Sequence, residues 1–209
     1  MIPCKVEPTT DNHHYRGALT VVLDDVETHR FRRMNGSPMK GATEYPTAIF
    51  ALDPGGTLGW SLLILNKRLS VGADIEQLLD DRIAWWHGQL DMKTDEDAGL
   101  QYIRQAIDRC PGALVLSESF QLRTKVTGKD PLSPVRQSAV IKHFCWLRGR
   151  RYYEQDPSFK TTASDARLRN WRVYQREGGL AHARDADRHA IVFLRRLVSD
   201  QRLLASTKG

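Results

Sequence analysis

The chain has 209 residues, 41% of them apolar, which suits one α/β domain of ordinary size plus an extension and is too short for two large domains. Its 31 basic residues outnumber 25 acidic ones, and the net charge of +6 favours a polyanionic partner without requiring one. Three widely spaced cysteines (Cys4, Cys110, Cys145), with no apolar run near the ~18 residues of a membrane span, argue against a disulfide scaffold, a CxxC zinc site and a membrane protein.

The first residues, MIPCKVEPTTDNHHYRG, lack the apolar segment of a signal peptide, so a reducing cytoplasmic location is expected. Residues 1–45 are polar and rich in turn formers; TVVLDDV (20–26) fits one short strand and THRFRRMNGSPMKG (28–41) a basic linker, so this part reads as an N-terminal extension. A folded domain is expected over 46–209. It opens with two apolar runs, 47–53 and 59–65, around the turn Asp53-Pro54-Gly55-Gly56, the pattern of a β-hairpin. RIAWWHGQLD (82–91) suits a third strand. Residues 94–110 suit a helix, opened by a capping-box-like Thr94/Asp97 with Leu100, Ile103 and Ile107 at helical spacing. ALVLSE (113–118) is a short continuous apolar run, as in a buried parallel strand. A helix over 133–149, a fifth strand over 151–158, a short helix over 162–171 and one long C-terminal helix from His182 follow. The fold class is therefore α/β, a mixed sheet of about five strands flanked by helices.

Two of these strands end in carboxylates, Asp53 and Glu118, and they lie side by side if the βαβ connection joins neighbours. His182 and Asp185 are three residues apart, about 60° around one helical face. Asp187 stands about 140° from His182 and is the poorer companion; it is the substitute for Asp185 if the helix is rotated. His189 shares the Asp185 face but is expected one turn too far along. Oxygen donors with one imidazole suit Mg²⁺ or Mn²⁺, and two such ions about 4 Å apart support phosphodiester cleavage. Trp60, Trp85 and Trp86 are read as packing residues. Directly after Glu118 comes a basic stretch, 121–151, with Arg123, Lys125, Lys129 and Arg136 as candidate phosphate contacts and Asp130 as its one acid.

ALDPGGTLGWSLL resembles the first-strand motif of RuvC-like Holliday junction resolvases in the RNase H-like superfamily, and VLSESF resembles their glutamate strand. YYEQDPSFKT is similar to a later strand with its Pro and Lys, and HARDADRHAI to the last helix. The resemblance spans 47–200 and is greatest to RuvC-like proteins of bacteriophages. It implies an RNase H-like fold and a Mg²⁺-dependent homodimer making paired nicks in four-way DNA junctions, a function in DNA recombination, repair or phage DNA processing. Asp53, Glu118 and Asp185 match catalytic carboxylates and metal ligands. His182 stands where many members carry aspartate and others histidine, and Lys160 matches a lysine near the site. Val140, Ile141, Phe144 and Leu147 suit either a dimer interface or the core. The segment between Lys160 and His182 departs from the bacterial pattern. The alternatives are a related nuclease acting on flaps, forks or RNA–DNA hybrids, and a non-catalytic junction-binding protein. No small-molecule cofactor is expected, because DPGGTLG lacks the P-loop lysine and the dinucleotide-binding spacing.

Overall fold

A computed structural model describes residues 47–65, 67–81, 84–120, 132–171 and 181–207. The expected strand at 20–26 and the basic loop holding Arg123, Lys125 and Lys129 lie outside the described residues.

Strands β1 (Thr47–Asp53) and β2 (Thr57–Leu65) form the expected antiparallel hairpin, registered from Thr47 opposite Leu65 to Asp53 opposite Gly59. β3 (Ala84–Asp91) pairs antiparallel with β2, whereas β4 (Ala113–Glu118) and β5 (Tyr152–Gln155) run parallel to β1 and to each other, in the order β3-β2-β1-β4-β5. Both faces of the sheet are covered. That is why β1, β2 and β4 read as unbroken apolar runs rather than alternating ones.

Of the helices, α1 is Ile75–Asp80, α2 Glu96–Arg109, α3 Ser133–Leu147, α4 Asp165–Asn170, α5 Ala181–Ser199 and α6 Gln201–Ser206. One face of the sheet packs against α2 and α3 through Leu100, Ile103, Ile107, Ile141 and Cys145. The other packs against α5 through Ala190, Ile191, Phe193, Leu194 and Leu197. Ile141 is thus core, with Val140 and Phe144 partly buried beside it, whereas Leu147 and its neighbour Trp146 face solvent. No helix among the described residues is long and apolar enough to cross a membrane.

Several boundaries differ from the sequence reading, among them the fifth strand, which spans Tyr152–Gln155 rather than 151–158, and the helix expected over 133–149, which ends at Leu147. Helix α2 is capped by Asp95, whose carboxylate accepts from the Ala98 N–H, while Thr94 donates to Asp91 at 2.7 Å. The expected long terminal helix is two helices. Asp200 interrupts it because its side chain captures the Arg202 and Leu203 N–H groups as a new N-cap. The short helix near 162 starts later, at Asp165, after a 3-10 turn over Pro157–Thr162 whose cap is Asp156.

Helix α5 is pinned across the sheet by a buried polar group. Asp187 accepts from Ser61 Oγ at 2.7 Å and Trp85 Nε1 at 3.1 Å, and its second oxygen meets His87 Nδ1 at 2.5 Å. Each partner comes from β2 or β3, so this contact fixes the rotation of α5 above the hairpin. Trp60 and Trp86 are buried packing residues, as expected.

Candidate active site

Pro54 has no N–H to continue a ladder, so β1 stops at Asp53, and β4 stops one residue past its last pairing with β1, at Glu118. The two carboxylates therefore emerge at the same sheet edge. The Gly55 turn behind Asp53 is held by Gln137 of α3: the Gly55 N–H donates to Gln137 Oε1 at 3.0 Å, and Gln137 Nε2 donates to the Gly55 carbonyl at 3.0 Å. Gln137 is itself buried and linked to Ser133 and Glu96, so a polar chain from α2 and α3 fixes the turn.

Gly59, opposite Asp53, allows the first turn of α5 to lie directly against β2. A Cβ there would stand 2.0 Å from the His182 carbonyl oxygen, a position no side chain can share. This approach delivers His182 Nδ1 to 3.0 Å from Asp53 Oδ2. One turn later, Asp185 faces the same edge, where Arg188 holds one of its oxygens and also pairs with Asp165 of α4. Lys160, from the 3-10 turn, sits between the acids: Nζ is 3.0 Å from Glu118, 3.0 Å from Asp185 and 3.7 Å from Asp53. Asp53, Glu118, Lys160, His182 and Asp185 are therefore one cluster.

Burial pushes the Asp53 carboxyl up, aided by the negative charges of Glu118 and Asp185, although the His182 hydrogen bond and the Lys160 charge oppose the rise. The same hydrogen bond to Asp53 raises His182. Burial works against the ionised Glu118 too, but His189 and Lys160 overcome it and hold the group down to about 2. For Lys160, burial disfavours the ammonium, yet the surrounding Asp53, Glu118 and Asp185 more than reverse this and raise its pKa.

The structure adds a residue that the spacing argument set aside. His189 is fully buried, and its Nε2 lies 2.6 Å from Glu118 Oε2. His182 and His189 are about 10 Å apart along the helix axis, so the first reaches Asp53 and the second reaches Glu118. The usable signal was a histidine within the buried stripe of Ala186, Ala190 and Phe193, where a side chain must point at the sheet. Asp187, by contrast, is held in the Ser61–Trp85–His87 group and is not part of this cluster. Arg136 is half exposed, with its guanidinium on Glu96 at 2.8 Å.

Asp53, Glu118 and His189 each offer one ligand atom, all within 4.8 Å of one another. With Asp185 nearby, the donor set is rich in carboxylate oxygen and fits a hard divalent cation better than a thiophilic one. The ammonium drawn in among the acids shows that this edge attracts positive charge.

No protein-family model matches the chain, and no curated protein matches it. Among solved structures, the chain is similar to Thermus thermophilus RuvC in complex with Holliday junction substrate, with 12% identity, a TM-score of 0.51 and coverage of 72% of this chain and 94% of that one. A second T. thermophilus RuvC structure matches with 11% identity, a TM-score of 0.47 and coverage of 72% and 95%. The fold is RuvC-like, an RNase H-like α/β arrangement.

Proposed function

We propose that this chain is a metal-dependent endonuclease that hydrolyses phosphodiester bonds in branched DNA, four-way junctions foremost, as RuvC-like proteins of bacteriophages do. The observation that carries this reading is the cluster at one sheet edge: Asp53, Glu118 and Asp185 around Lys160, with His182 on Asp53. The RuvC-like fold supports it, and so does the junction held by the T. thermophilus neighbour. The active form is a homodimer acting in the bacterial cytoplasm, with residues 46–209 as the nuclease domain and 1–45 as an extension to it.

Mg²⁺ or Mn²⁺ held by Asp53, Glu118, Asp185 and His182 would supply an activated water and charge neutralisation at the leaving oxygen. The residues themselves perform the remaining tasks. Asp53 is central because it meets both His182 and Lys160, and Gly59 and Gln137 fix where its oxygens point. Lys160 keeps its charge through the raised pKa and brings a cation to where phosphate negative charge develops. His182 ligates only when neutral, and its raised pKa moves the onset of activity toward higher pH. Arg123, Lys125, Lys129 and Arg136 contact the phosphate backbone next to this edge, which favours recognition of shape over base sequence.

The test is cleavage of a labelled four-way junction beside linear duplex, fork, flap and RNA–DNA hybrid, with Mg²⁺, Mn²⁺ or EDTA. Paired, metal-dependent nicks at the junction are expected, with a loss of about 10³-fold or more in Asp53→Asn, since several kcal/mol of charge stabilisation is removed. Faster cutting of forks, flaps or hybrids would keep the chemistry and change the substrate. Salt-sensitive junction binding without any cutting would replace the enzyme with a binding protein.

A further inference from the structure

His189 and Gln155 lie in the interior next to Glu118, whose Oε2 meets both His189 and Lys160, and the chemistry above does not use them. Gln155 ends β5 directly across from Glu118 in the parallel ladder, so the two side chains leave the sheet as neighbours. His189 comes down on both from α5. Gln155 Nε2 lies 2.8 Å from His189 Nδ1 and 3.4 Å from the His189 main-chain carbonyl oxygen, and His189 Nε2 lies 2.6 Å from Glu118 Oε2. His189 is completely buried and Gln155 is 1% exposed.

The orientation of the amide follows from the carbonyl. An amide oxygen in the Nε2 position would face the His189 carbonyl oxygen, two acceptors with no proton between them. The NH₂ group belongs there, and it donates to Nδ1 as well. Nδ1 is then the acceptor of the ring, which leaves the ring proton on Nε2, aimed at Glu118. The arrangement costs something: Gln155 Oε1 is buried with no hydrogen-bond partner among the described residues. A buried acceptor left unpaired costs about 1–3 kcal/mol. An apolar residue at 155 would avoid that cost and lose only the amide's contact to the imidazole.

We propose that His189 is a positioning residue for Glu118 and not a ligand. Gln155 fixes its tautomer, and the imidazole Nε2–H holds one Glu118 oxygen so that the other is presented to the divalent cation. The inference rests on the nuclease reading for the use of that cation, but not for the hydrogen-bond chain. It assigns the three groups that share the inner part of the site distinct tasks: Asp53 and Glu118 bind, and His189 orients. Partners that orient a ligand in this way are typically worth 10–100-fold in metal affinity.

The test uses the full chain with Mg²⁺ for the spectra and Mn²⁺ for the affinities, and no DNA, so it does not depend on cleavage. In ¹⁵N-histidine-labelled protein, the His189 ring, assigned by its loss in His189→Gln, is expected to carry its proton on Nε2 both without metal and with Mg²⁺. A proton on Nδ1 in either state, or loss of the Nε2 proton when Mg²⁺ binds, would overturn the proposal and make His189 a ligand. Calorimetric Mn²⁺ affinity should fall about 10–100-fold in His189→Leu and about 10-fold in Gln155→Leu. His189→Gln, which keeps a donor, should stay within about threefold of the parent. Unchanged affinity in both leucine variants would reduce the pair to packing, and equal losses in His189→Gln and His189→Leu would again point to ligation. Should either leucine variant fail to fold, the ring spectra of the parent decide the matter. If the parent binds Mn²⁺ as expected but cuts no DNA, the nuclease reading falls while the positioning role stands.

Discussion

Lys160 places one ammonium among three carboxylates, at 3.0 Å from Glu118 and Asp185 and 3.7 Å from Asp53. In metal-free protein it offsets their mutual repulsion, with Arg188 as a second cation on Asp185. Removing one partner of a mostly buried charge group leaves the others uncompensated, and partial exposure of Lys160 reduces the cost to about 1–3 kcal/mol. Lys160→Met should therefore lower the metal-free urea midpoint, and Mn²⁺ should recover more stability in the variant than in the parent, because binding to the folded state adds RT ln(1 + [L]/Kd). The pH dependence carries a definite sign. Glu118 ionises near 2 in the fold against an ordinary 4.5, so its contribution is complete above pH 4.5 and is lost as pH falls towards 2. Without Lys160 the folded pKa rises, and that window narrows from its acid side. Urea midpoints of both proteins at pH 7, 5, 4 and 3 check this: parallel curves, or a variant with no deficit at pH 7, would contradict the counter-ion role.

The elements that carry the site are fixed by polar contacts that leave little trace in a hydropathy pattern. Gln137 satisfies both the N–H and the C=O of Gly55 from another element, as a neighbouring strand would. Gln137→Leu keeps similar bulk but strands both backbone groups, and should cost about 2–6 kcal/mol at about 1–3 per unpaired group. A lower denaturant midpoint with an unchanged m-value is the expected result, with weaker Mn²⁺ binding because Asp53 begins this turn. An unchanged midpoint would mean that water serves the turn equally well. The same distinction explains what could be read in advance. Strands β1, β2 and β4 are buried on both faces, so their ends, and hence Asp53 and Glu118, were marked by where the apolar runs stop. Helix α1 and the 3-10 turn at Pro157–Thr162 are six residues each, too short for periodicity, and depend on the caps Asp74 and Asp156. The break at Asp200 was hidden because Leu203 and Leu204 continue the apolar pattern beyond it. His189 was set aside because angular spacing around a helix does not say which strand lies under the next turn. Asp187 illustrates the reverse case. Its angle from His182 placed it off the site face, and the structure puts it in a separate group with Ser61, Trp85 and His87.

For the molecule as a whole, the question is how a polyanion approaches an edge lined with carboxylates. The net charge is +6, yet several basic residues of the 121–151 stretch are already engaged: Arg136 with Glu96, Lys142 with Glu154 and Arg148 with Asp108. Exposed pairs of this kind are worth little and leave the local field nearly neutral. On the proposed function, the attraction for a phosphate backbone is expected to come largely from Arg123, Lys125 and Lys129, which follow Glu118 in the sequence and have Asp130 beside them. Each phosphate neutralised on duplex DNA contributes about −0.9 to the slope of log K against log salt. Replacing all three by alanine should flatten that slope by about 2–3 and weaken junction binding most at low salt, whereas Arg148→Ala should change the slope by less than about one. Binding is measured on an Asp53→Asn background in EDTA, from 50 to 300 mM salt, so that cleavage plays no part. A triple variant with the parent's slope would move the DNA path away from this loop. An Arg148 variant that loses as much would place the path along α3 instead, across the face that carries Trp146 and Leu147.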